Sequence, residues 1–325
     1  MKFSDLILMS IRNLWRRKLR TFLTVLGVVI GTASIVIMVS LGIAMNENFK
    51  AEISKMGSLN VINVSSNAYY GGGMMMGMGG DNSGMAVLDR KAIESFKALE
   101  GVDAASPIMD VYYKLKADKL VAQVSLRGVD LDILPFMGVR LAQGEMLTKE
   151  DKYGILFGGN ISTMFYNPKS KNPWATQGQT PVDLMTSKLT MSFDYNYGEK
   201  VQPGTVTAAP PKPYKVKAIG VMEMGLGEHD YYAYMDINTL EAIKKDEEKW
   251  NKKNTPGYQA QKTTGYPNAI VHVKEMKDVA DIQQQIKDMG FQAYSLTEYL
   301  DSMQKTSAGL QAILGGIGAV SLFVA

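Results

Sequence analysis

The 325-residue sequence has no cysteine and only two histidines. Without cysteine the chain has no disulfide framework, no thiol nucleophile and no thiolate metal site. Neither histidine lies in a metal-binding or hydrolase motif such as HExxH or GxSxG. The chain also lacks a GxxxxGK(S/T) phosphate loop, so it is not expected to bind or hydrolyse ATP by itself. We therefore predict no enzyme activity, no cofactor, and no catalytic, cofactor-binding or metal-binding residues in this chain.

The two histidines and a methionine-rich run have simple interpretations. His229 lies in a turn, which predicts a solvated loop, and His272 lies in a strand-like stretch, which predicts a structural role. The Gly/Met-rich run at 71–80 is low in complexity and predicts a mobile loop. Three alternate methionines in it have the spacing of a thioether Cu(I) site: Met74, Met76 and Met78. No His or Cys accompanies them, so contact with an apolar cargo or a membrane surface is favoured over metal binding.

Charged residues are absent from Thr21 to Asn46. As a helix, residues 21–45 would span about 37 Å, enough to cross a hydrocarbon core of about 30 Å. A buried helix of a soluble protein would carry a polar stripe. A cleaved signal peptide would have a shorter apolar region, followed by a small-residue cleavage site. We therefore predict that 21–45 is a transmembrane helix.

Basic residues are concentrated before this helix. The first twenty residues contain six basic residues and one acidic residue, whereas the net charge of the whole chain is only +3. Lysine and arginine mark the cytoplasmic side of a span. The N-terminus is therefore predicted to be cytoplasmic, and the chain after about Asn46 extracytoplasmic. Because the basic charge belongs to this short segment, nucleic acid is not predicted as a partner.

A second apolar run follows Lys305, the last charged residue. It is rich in small residues and stops without a basic flank, so we expect a second span at 310–325 that is truncated here, and a longer natural protein. The sequence on the outer side of both spans is helical in pattern. We predict stalk helices at 46–57 and 296–309, and the second follows the capping-box serine Ser295.

Residues 1–20 are predicted to form a basic amphipathic helix on the cytoplasmic side. Five apolar side chains fall on one face at helical spacing: Phe3, Ile7, Ile11, Leu14 and Trp15. A basic helix with aromatic residues on its apolar face is typical of an anchor in the headgroup layer. A docking surface for a cytoplasmic partner is the other interpretation.

Glycines in both apolar runs predict close helix packing. Small residues let helix backbones approach where lipid provides no hydrophobic drive, although glycine is also common in membrane helices generally. The predicted packing positions are Gly27, Gly31, Gly315, Gly316 and Gly318.

The segment between the stalks has an α+β pattern. Strand patterns occur at 61–64, 121–127, 214–221, 268–273 and 290–294, and helix patterns at 88–99, 236–244 and 279–289. The stretch 167–213 is rich in Pro, Asn, Thr, Gly and Tyr, and predicts loops or a small β-rich subdomain.

Several motifs resemble one protein family. The run SIRNLWRRKLRTFLTVLGVVIG at 10–31 is similar to the N-terminal segment of MacB-like, FtsX-type ABC transporter permeases. Weaker similarities to the same family occur further along the chain: VSLRGVD at 124–130, LAQGEMLTKED at 141–151, YKVKAIGV at 214–221 and IGAVSLFVA at 317–325.

This resemblance implies a four-span permease subunit in the bacterial cytoplasmic (inner) membrane. It also implies a split extracytoplasmic core, at 58–136 and 266–295, with an inserted small, loop-rich subdomain at 137–265. Its implied partners are a separate cytoplasmic ABC ATPase, a second permease copy, the lipid bilayer and an extracytoplasmic adaptor. ATP hydrolysis by the partner would move the stalk helices and the outer domain, for efflux or export. The implied ATPase-facing residues are Leu6, Met9, Ser10, Asn13 and Arg16.

The alternative is a membrane receptor, in which two spans flank an extracytoplasmic sensor domain. A receptor would carry a signalling module after its second span, whereas a permease would carry two further spans. The identity of a transported substrate is not indicated by any of these motifs.

Overall fold

The computed structural model describes residues 17–56, 59–66, 86–178, 181–200, 209–225, 227–255, 257–259 and 265–324. The chain divides into two compact units, Met1–Ile53 with Glu298–Ala325, and Ser54–Thr297. The helices are α1 (Lys18–Met56), α2 (Arg90–Lys97), α3 (Ile237–Asn254), α4 (Val279–Asp288) and α5 (Leu296–Val324). The strands are β1 (Val61–Ser65), β2 (Val102–Ala117), β3 (Leu120–Val129), β4 (Leu141–Gly144), β5 (Gly154–Phe157), β6 (Leu189–Ser192), β7 (Tyr214–Met222), β8 (Tyr232–Asp236), β9 (Asn268–Val273) and β10 (Gln292–Ser295).

Helix α1 dominates the first unit. It continues without interruption for 39 residues and ends at Met56, within the predicted 46–57 stalk, whose boundaries stay a prediction. In the described part of the chain, one helical stretch, Lys18–Phe49, is long and apolar enough to cross a membrane. Its apolar side chains are largely exposed, as at Ile37 (58%) and Ile43 (62%), which suits lipid better than water. The second helix of this unit, α5, has 29 residues, and its membrane span stays a prediction.

The second unit is built on one mixed sheet. Its strand order is β10-β1-β9-β2-β3-β8-β5-β7-β4, and β6 pairs with both β2 and β7. Strand β2 has 16 residues and two sets of neighbours. Its first half, from Val102 to Ile108, pairs with β9, and its second half, from Met109 to Ala117, pairs with β3. One long strand therefore belongs to both halves of the sheet.

The first half of the sheet packs on helices α2 and α4. The side chain of Asp89 caps α2 by accepting from the backbone N–H of Ala92 at 2.9 Å. Ile93 and Phe96 then point inward and are fully buried. The core that they share with one face of the strands also contains Ile62, Val64, Val271, Val273, Val279, Ile282 and Ile286.

The second half of the sheet packs on helix α3. Asp236 caps this helix, because its carboxylate accepts from the backbone N–H of Thr239 at 3.0 Å. The buried face of α3 then presents Ile237, Leu240 and Ile243 to the sheet. The strands contribute the rest of this core, including Val111, Leu115, Val124, Leu126, Ile155, Phe157, Ala233 and Met235.

A third core lies under the 3-10 turn Leu131–Met137 and joins the two halves. Ile133, Leu134 and Met137 pack against residues of the first half, Val61, Ala104, Ile108 and Ile270, and of the second half, Leu156, Met222 and Tyr234. Phe136 of the same turn stacks on the ring of His272, with 4.2 Å between ring centroids. Burial lowers the pKa of His272, and its location within β9 supports its predicted structural role.

Most predicted elements are confirmed, with shifted ends. The five predicted strands correspond to β1, β3, β7, β9 and β10, and the three predicted helices to α2, α3 and α4. The longest strand, β2, has no counterpart in the sequence analysis. Its first half is buried on both faces and contains Pro107, so it lacks the alternation and the composition of a typical central strand.

The structure adds one fact to the predicted domain boundaries, which stay predictions. Strand β8 from the 137–265 segment pairs in parallel with β3 from the 58–136 segment, through Leu126 and Ala233 among others. The stretch 167–213 contains β6, which pairs with β2. Strands from both segments thus share a sheet.

Two glycines with similar φ angles separate the cost of steric overlap from the cost of backbone strain when a side chain is added. Gly144 has a φ of +78°, and an added Cβ would lie 2.2 Å from the carbonyl oxygen of Ile219. Gly138 has a φ of +71°, but an added Cβ there would meet nothing within 4 Å. We predict that Gly144→Ala lowers the free energy of unfolding by about 3 kcal/mol or more, because backbone strain and overpacking add.

The matched variant Gly138→Ala should lower it by only about 1 to 2 kcal/mol, because it introduces the conformational strain alone. Thermal unfolding of the purified variants, followed by circular dichroism, measures both effects. Equal losses in the two variants would contradict the close contact between β4 and β7.

Candidate functional site

The two long helices contact each other through small and polar residues. Within the first unit, a Cβ added to Gly315 of α5 would lie 3.2 Å from the Sδ of Met38 on α1. One turn further along α1 and one turn back along α5, a Cβ added to Gly42 would lie 2.4 Å from the Nε2 of Gln311. The order of these contacts makes the helices antiparallel.

Polar atoms lie within this helix contact. Ser307 is 9% exposed, and its hydroxyl donates to the Sδ of Met45 at 3.8 Å. Gln311 donates from Nε2 to the hydroxyl oxygen of Ser307 at 3.3 Å. Polar side chains in an apolar helix mark a contact face, because their donors and acceptors find partners there rather than in lipid.

The predicted packing glycines occupy different environments. Gly31 is buried and Gly27 is partly buried, on the side of α1 that also presents Met38 and Gly42. Gly315 faces Met38, whereas an added Cβ at Gly316 would meet nothing within 4 Å. Gly318 lies in α5. Their role in a helix interface stays a prediction.

The predicted ATPase-facing residues, Leu6, Met9, Ser10, Asn13 and Arg16, lie outside the described residues, as does most of the predicted 1–20 helix. The Gly/Met-rich run at 71–80 also lies outside them. Among the residues that the structure describes, no group of three or more His, Cys, Asp or Glu side chains could hold a metal ion.

An arginine cluster lies on the sheet of the second unit. Arg127 of β3 makes two parallel hydrogen bonds to Asp110 of β2, at 2.9 and 3.0 Å, and one to Glu228 at 3.2 Å. Its guanidinium carbon lies 3.7 Å from the ring centroid of Tyr232. Burial favours a lower pKa for Arg127, but the hydrogen bonds and charge of Asp110 outweigh it and raise the pKa. Arg127 is therefore held as a cation and is paired within the cluster.

His229 is buried beside this cluster, which corrects the prediction of a solvated loop. Its side chain is 8% exposed, and its Nδ1 shares a 2.5 Å hydrogen bond with the hydroxyl of Tyr234. Burial lowers the pKa of His229. The turn that carries it is short and polar in sequence, so no local pattern predicts the burial, which arises where the turn packs against β8 and against Gly158.

A buried lysine attaches a loop to the far end of β2. Lys114 is 5% exposed, and its Nζ donates to the hydroxyl of Tyr166 and to the carboxylate of Glu199, both at 2.7 Å. Tyr166 also donates to Glu199. Burial opposes the charged form of Lys114, yet its hydrogen bonds to Glu199 and Tyr166 raise its pKa. This triad stabilises the loop around residue 199 against the strand.

A cavity of about 620 Å³ lies beside the arginine cluster, within the second unit. Its floor is the face of β1, β9 and β10, and its wall contains Arg127, Glu228 and His229. Leu296, the first residue of α5, also lines it. This volume lies in the range of ordinary ligand sites, so the cavity is large enough to hold a small molecule or part of a polymer.

Comparison with known proteins places the chain in a family. The sequence profile described as the MacB-like periplasmic core domain matches residues 21–289. This chain belongs to that family. The predicted resemblance to MacB-like ABC transporter permeases is thereby confirmed, and the large α+β domain of this MacB-like chain is extracytoplasmic. The family match does not favour the alternative of a two-span receptor.

Two relatives show how far the similarity extends. The chain is 30% identical over 149 residues to the macrolide export ATP-binding/permease protein MacB of Vibrio parahaemolyticus serotype O3:K6. It is 31% identical over 150 residues to the uncharacterized ABC transporter permease YvrN of Bacillus subtilis strain 168. The matches cover 46% and 45% of this MacB-like chain, but only 21% and 36% of the two relatives.

Two solved structures are also similar. The extracellular domain of the transporter YknZ from Gram-positive bacteria has a TM-score of 0.43 at 13% identity, and covers 73% of this chain and 100% of its own. The periplasmic region of MacB from Actinobacillus actinomycetemcomitans has a TM-score of 0.44 at 12% identity, and covers 79% of this chain and 98% of its own.

The arginine cluster and the Gly42–Gln311 contact of this MacB-like chain were not predicted from its sequence. A charged residue at an alternating strand position was a usable signal for Arg127, and a glutamine in an apolar run was one for Gln311. Neither signal identifies the partner residue: Asp110 lies in β2, which the sequence did not predict, and Gly42 lies far from Gln311 in sequence.

Substitution of Arg127 tests the arginine cluster. We predict that Arg127→Gln lowers the free energy of unfolding by about 2 to 4 kcal/mol, because it leaves Asp110 partly buried without its counter-charge. The control is Arg140→Gln, whose pair with Glu223 is 69% and 47% exposed and should contribute less than about 1 kcal/mol. Urea unfolding, followed by tryptophan fluorescence, measures the free energy of unfolding of both variants. Similar losses of stability in the two variants would contradict the larger contribution assigned to Arg127.

Cross-linking tests the register of α1 and α5. Because the chain has no native cysteine, a disulfide can form only between the two cysteines that are introduced. We predict that Gly42→Cys combined with Gln311→Cys forms an intrachain disulfide under mild oxidation in membranes, because the two positions face each other. Gly42→Cys combined with Gly316→Cys should not, because Gly316 faces away from α1. Equal cross-linking in both pairs, read from gel mobility, would rule out this register.

Proposed function

We propose that the chain is the permease subunit of an ABC transporter, and that it couples ATP hydrolysis by a separate cytoplasmic ATPase to movement of its extracytoplasmic domain, for efflux or export. The proposal rests on the antiparallel contact of α1 and α5. Each of these helices is adjacent in sequence to a strand of the sheet. Strand β1 begins five residues after α1 ends at Met56, and β10 ends at Ser295, immediately before α5 begins.

Chain continuity explains how movement of the helices could reach the domain. Strands β10 and β1 are neighbours at one edge of the sheet, where Asn63 lies opposite Tyr294. A change in the position of either helix would act first on this pair of strands. Long helices are stiff along their axes, so a displacement at one end is carried to the other.

The charge pattern supports the orientation. Six basic residues precede the apolar segment of α1 and one acidic residue accompanies them. By the positive-inside rule, the N-terminus lies in the cytoplasm of a bacterial cell and α1 crosses the cytoplasmic membrane. The domain that follows then lies outside, in agreement with its periplasmic family.

The proposed partners follow from the same arrangement. The Vibrio relative is named as an ATP-binding/permease protein, and the Bacillus relative as a permease. The ATPase is proposed as a separate chain that contacts the predicted 1–20 helix through Leu6, Met9, Ser10, Asn13 and Arg16. A second permease copy would complete the transporter, and an extracytoplasmic adaptor is a further proposed partner.

Copurification tests this proposal. The protein is purified in mild detergent from its own cells, and the preparation is searched for a Walker-motif ATPase. We predict that an ATPase accompanies it, and that the complex hydrolyses ATP faster than the ATPase alone. The double variant Leu6→Glu and Arg16→Glu should lose the ATPase, whereas Lys2→Glu, outside the proposed contact, should retain it. Recovery of the protein alone, or with a kinase, would contradict the permease function.

A further inference from the structure

The floor of the cavity beside Arg127 consists of uncharged side chains on one face of three neighbouring strands, β10, β1 and β9. Asn63 of β1 lies opposite Tyr294 of β10 and Ile270 of β9. One step along the same face, Ser65 lies opposite Gln292 and Asn268. Successive residues on one face of a strand alternate in this way, so the six side chains share one surface. None of the six is ionisable near neutral pH.

The floor can both donate and accept hydrogen bonds. Asparagine, glutamine, serine and tyrosine side chains each offer a donor and an acceptor. Internal bonds use only part of this capacity: Ser65 and Tyr294 donate to the Oε1 of Gln292, at 3.4 and 3.2 Å. Among the residues that the structure describes, Asn63 and Asn268 have no side-chain partner. They remain available to a ligand.

The charged and polar side chains in the wall of the cavity already have partners within the protein. Arg127 is bound by Asp110 and Glu228, and His229 by Tyr234. One cation facing two carboxylates leaves no surplus positive charge for a phosphate or carboxylate ligand. This arrangement excludes anionic headgroups and nucleotides as favoured ligands and points to an uncharged one.

A tyrosine ring and apolar side chains complete the surface. Tyr294 is 55% exposed, so its ring is open to a ligand. Ile108, Ile270 and Met137 line the cavity between the polar groups. A ligand that matches this surface has flat apolar faces edged by groups that donate and accept hydrogen bonds. Pyranose rings with hydroxyl and acetamido substituents have this combination.

We propose that the cavity binds an uncharged glycan, of the class built from N-acetylated amino sugars, with a ring stacked on Tyr294 and acetamido or hydroxyl groups bound by Asn63 and Asn268. An extended peptide fits this surface less well. A peptide that binds a sheet adds to a free edge, where it pairs with backbone groups. Strand β10 is such an edge strand, but a peptide added there would lie beside the floor, whereas a ligand in the cavity meets the side chains on the face of the strands.

The position of the cavity connects this ligand to the helices. Two of the three floor strands, β1 and β10, are the strands that adjoin α1 and α5 in sequence, and Leu296 of α5 lines the cavity. Bound glycan would therefore stabilise one arrangement of these strands. This link to transport rests on the proposed permease function, whereas glycan binding does not.

The binding test uses the purified full chain in detergent, without an ATPase. The probes are tetra-N-acetylchitotetraose and, as the matched sugar without acetamido groups, cellotetraose, each titrated by calorimetry. We expect saturable binding of the acetylated tetramer that is at least about ten-fold tighter than that of cellotetraose. Tyr294→Ala and Asn268→Ala should each weaken it by about ten-fold or more. Tyr112→Ala, which removes a tyrosine that is 66% exposed and outside the cavity, should leave it unchanged.

Absence of saturable binding, or binding that the Tyr294 and Asn268 variants leave unchanged, would overturn the proposal. Preferential binding of a neutral tetrapeptide such as tetra-alanine would also overturn it, in favour of a peptide site. Circular dichroism of each variant shows whether it is folded. Because no ATPase is present, failure here leaves the copurification result unaffected, and a failed copurification would leave glycan binding to be judged separately.

Discussion

The structure depends on one strand that serves two half-sheets. Strand β2 pairs with β9 through its first half and with β3 through its second. Each half-sheet has its own helical cover, α2 and α4 on one and α3 on the other, and a third core under Leu131–Met137 spans both. A strand fixed on both sides by ladder hydrogen bonds cannot shift its register in one half without disturbing the other. The domain is therefore suited to move as a connected body and not as two independent lobes.

The two long helices and the proposed glycan site adjoin the same pair of strands in the sequence. The ends of α1 and α5 lead to β1 and β10, and those strands supply Asn63, Ser65, Gln292 and Tyr294 to the cavity floor. Buried charge pairs support the region from the side: Arg127 is held by Asp110 through two parallel hydrogen bonds. Such pairs fix geometry, because separation of a desolvated pair leaves a charge without compensation. In the proposed mechanism, the sheet edge formed by β1 and β10 moves, whereas the neighbouring strands that carry Arg127 and Asp110 stay fixed.

Local patterns in the sequence predicted the elements with strong periodicity. The uncharged run before Asn46 predicted the apolar helix, and the alternation around Gln123 and Ser125 predicted β3. Features that depend on long-range pairing were not predictable in this way. Strand β2 is buried on both faces and shows no alternation in its first half, and the turn that carries His229 packs against Gly158, which lies far away in sequence. The cavity required three strands that are far apart in sequence, so its floor could not be assembled from single-sequence patterns.

The central claim is that ATP use changes the arrangement of the two helices. Spin labels at Asn48→Cys on α1 and Ser302→Cys on α5, both exposed positions in a chain without native cysteine, report the distance between the helices on the outer side. The distance is measured by pulsed electron–electron double resonance, on the protein in lipid nanodiscs together with its ATPase. One sample contains no nucleotide and the other contains ATP. The account predicts that the distance distribution shifts when ATP is added. An identical distribution in both states, while the ATPase is active, would contradict it.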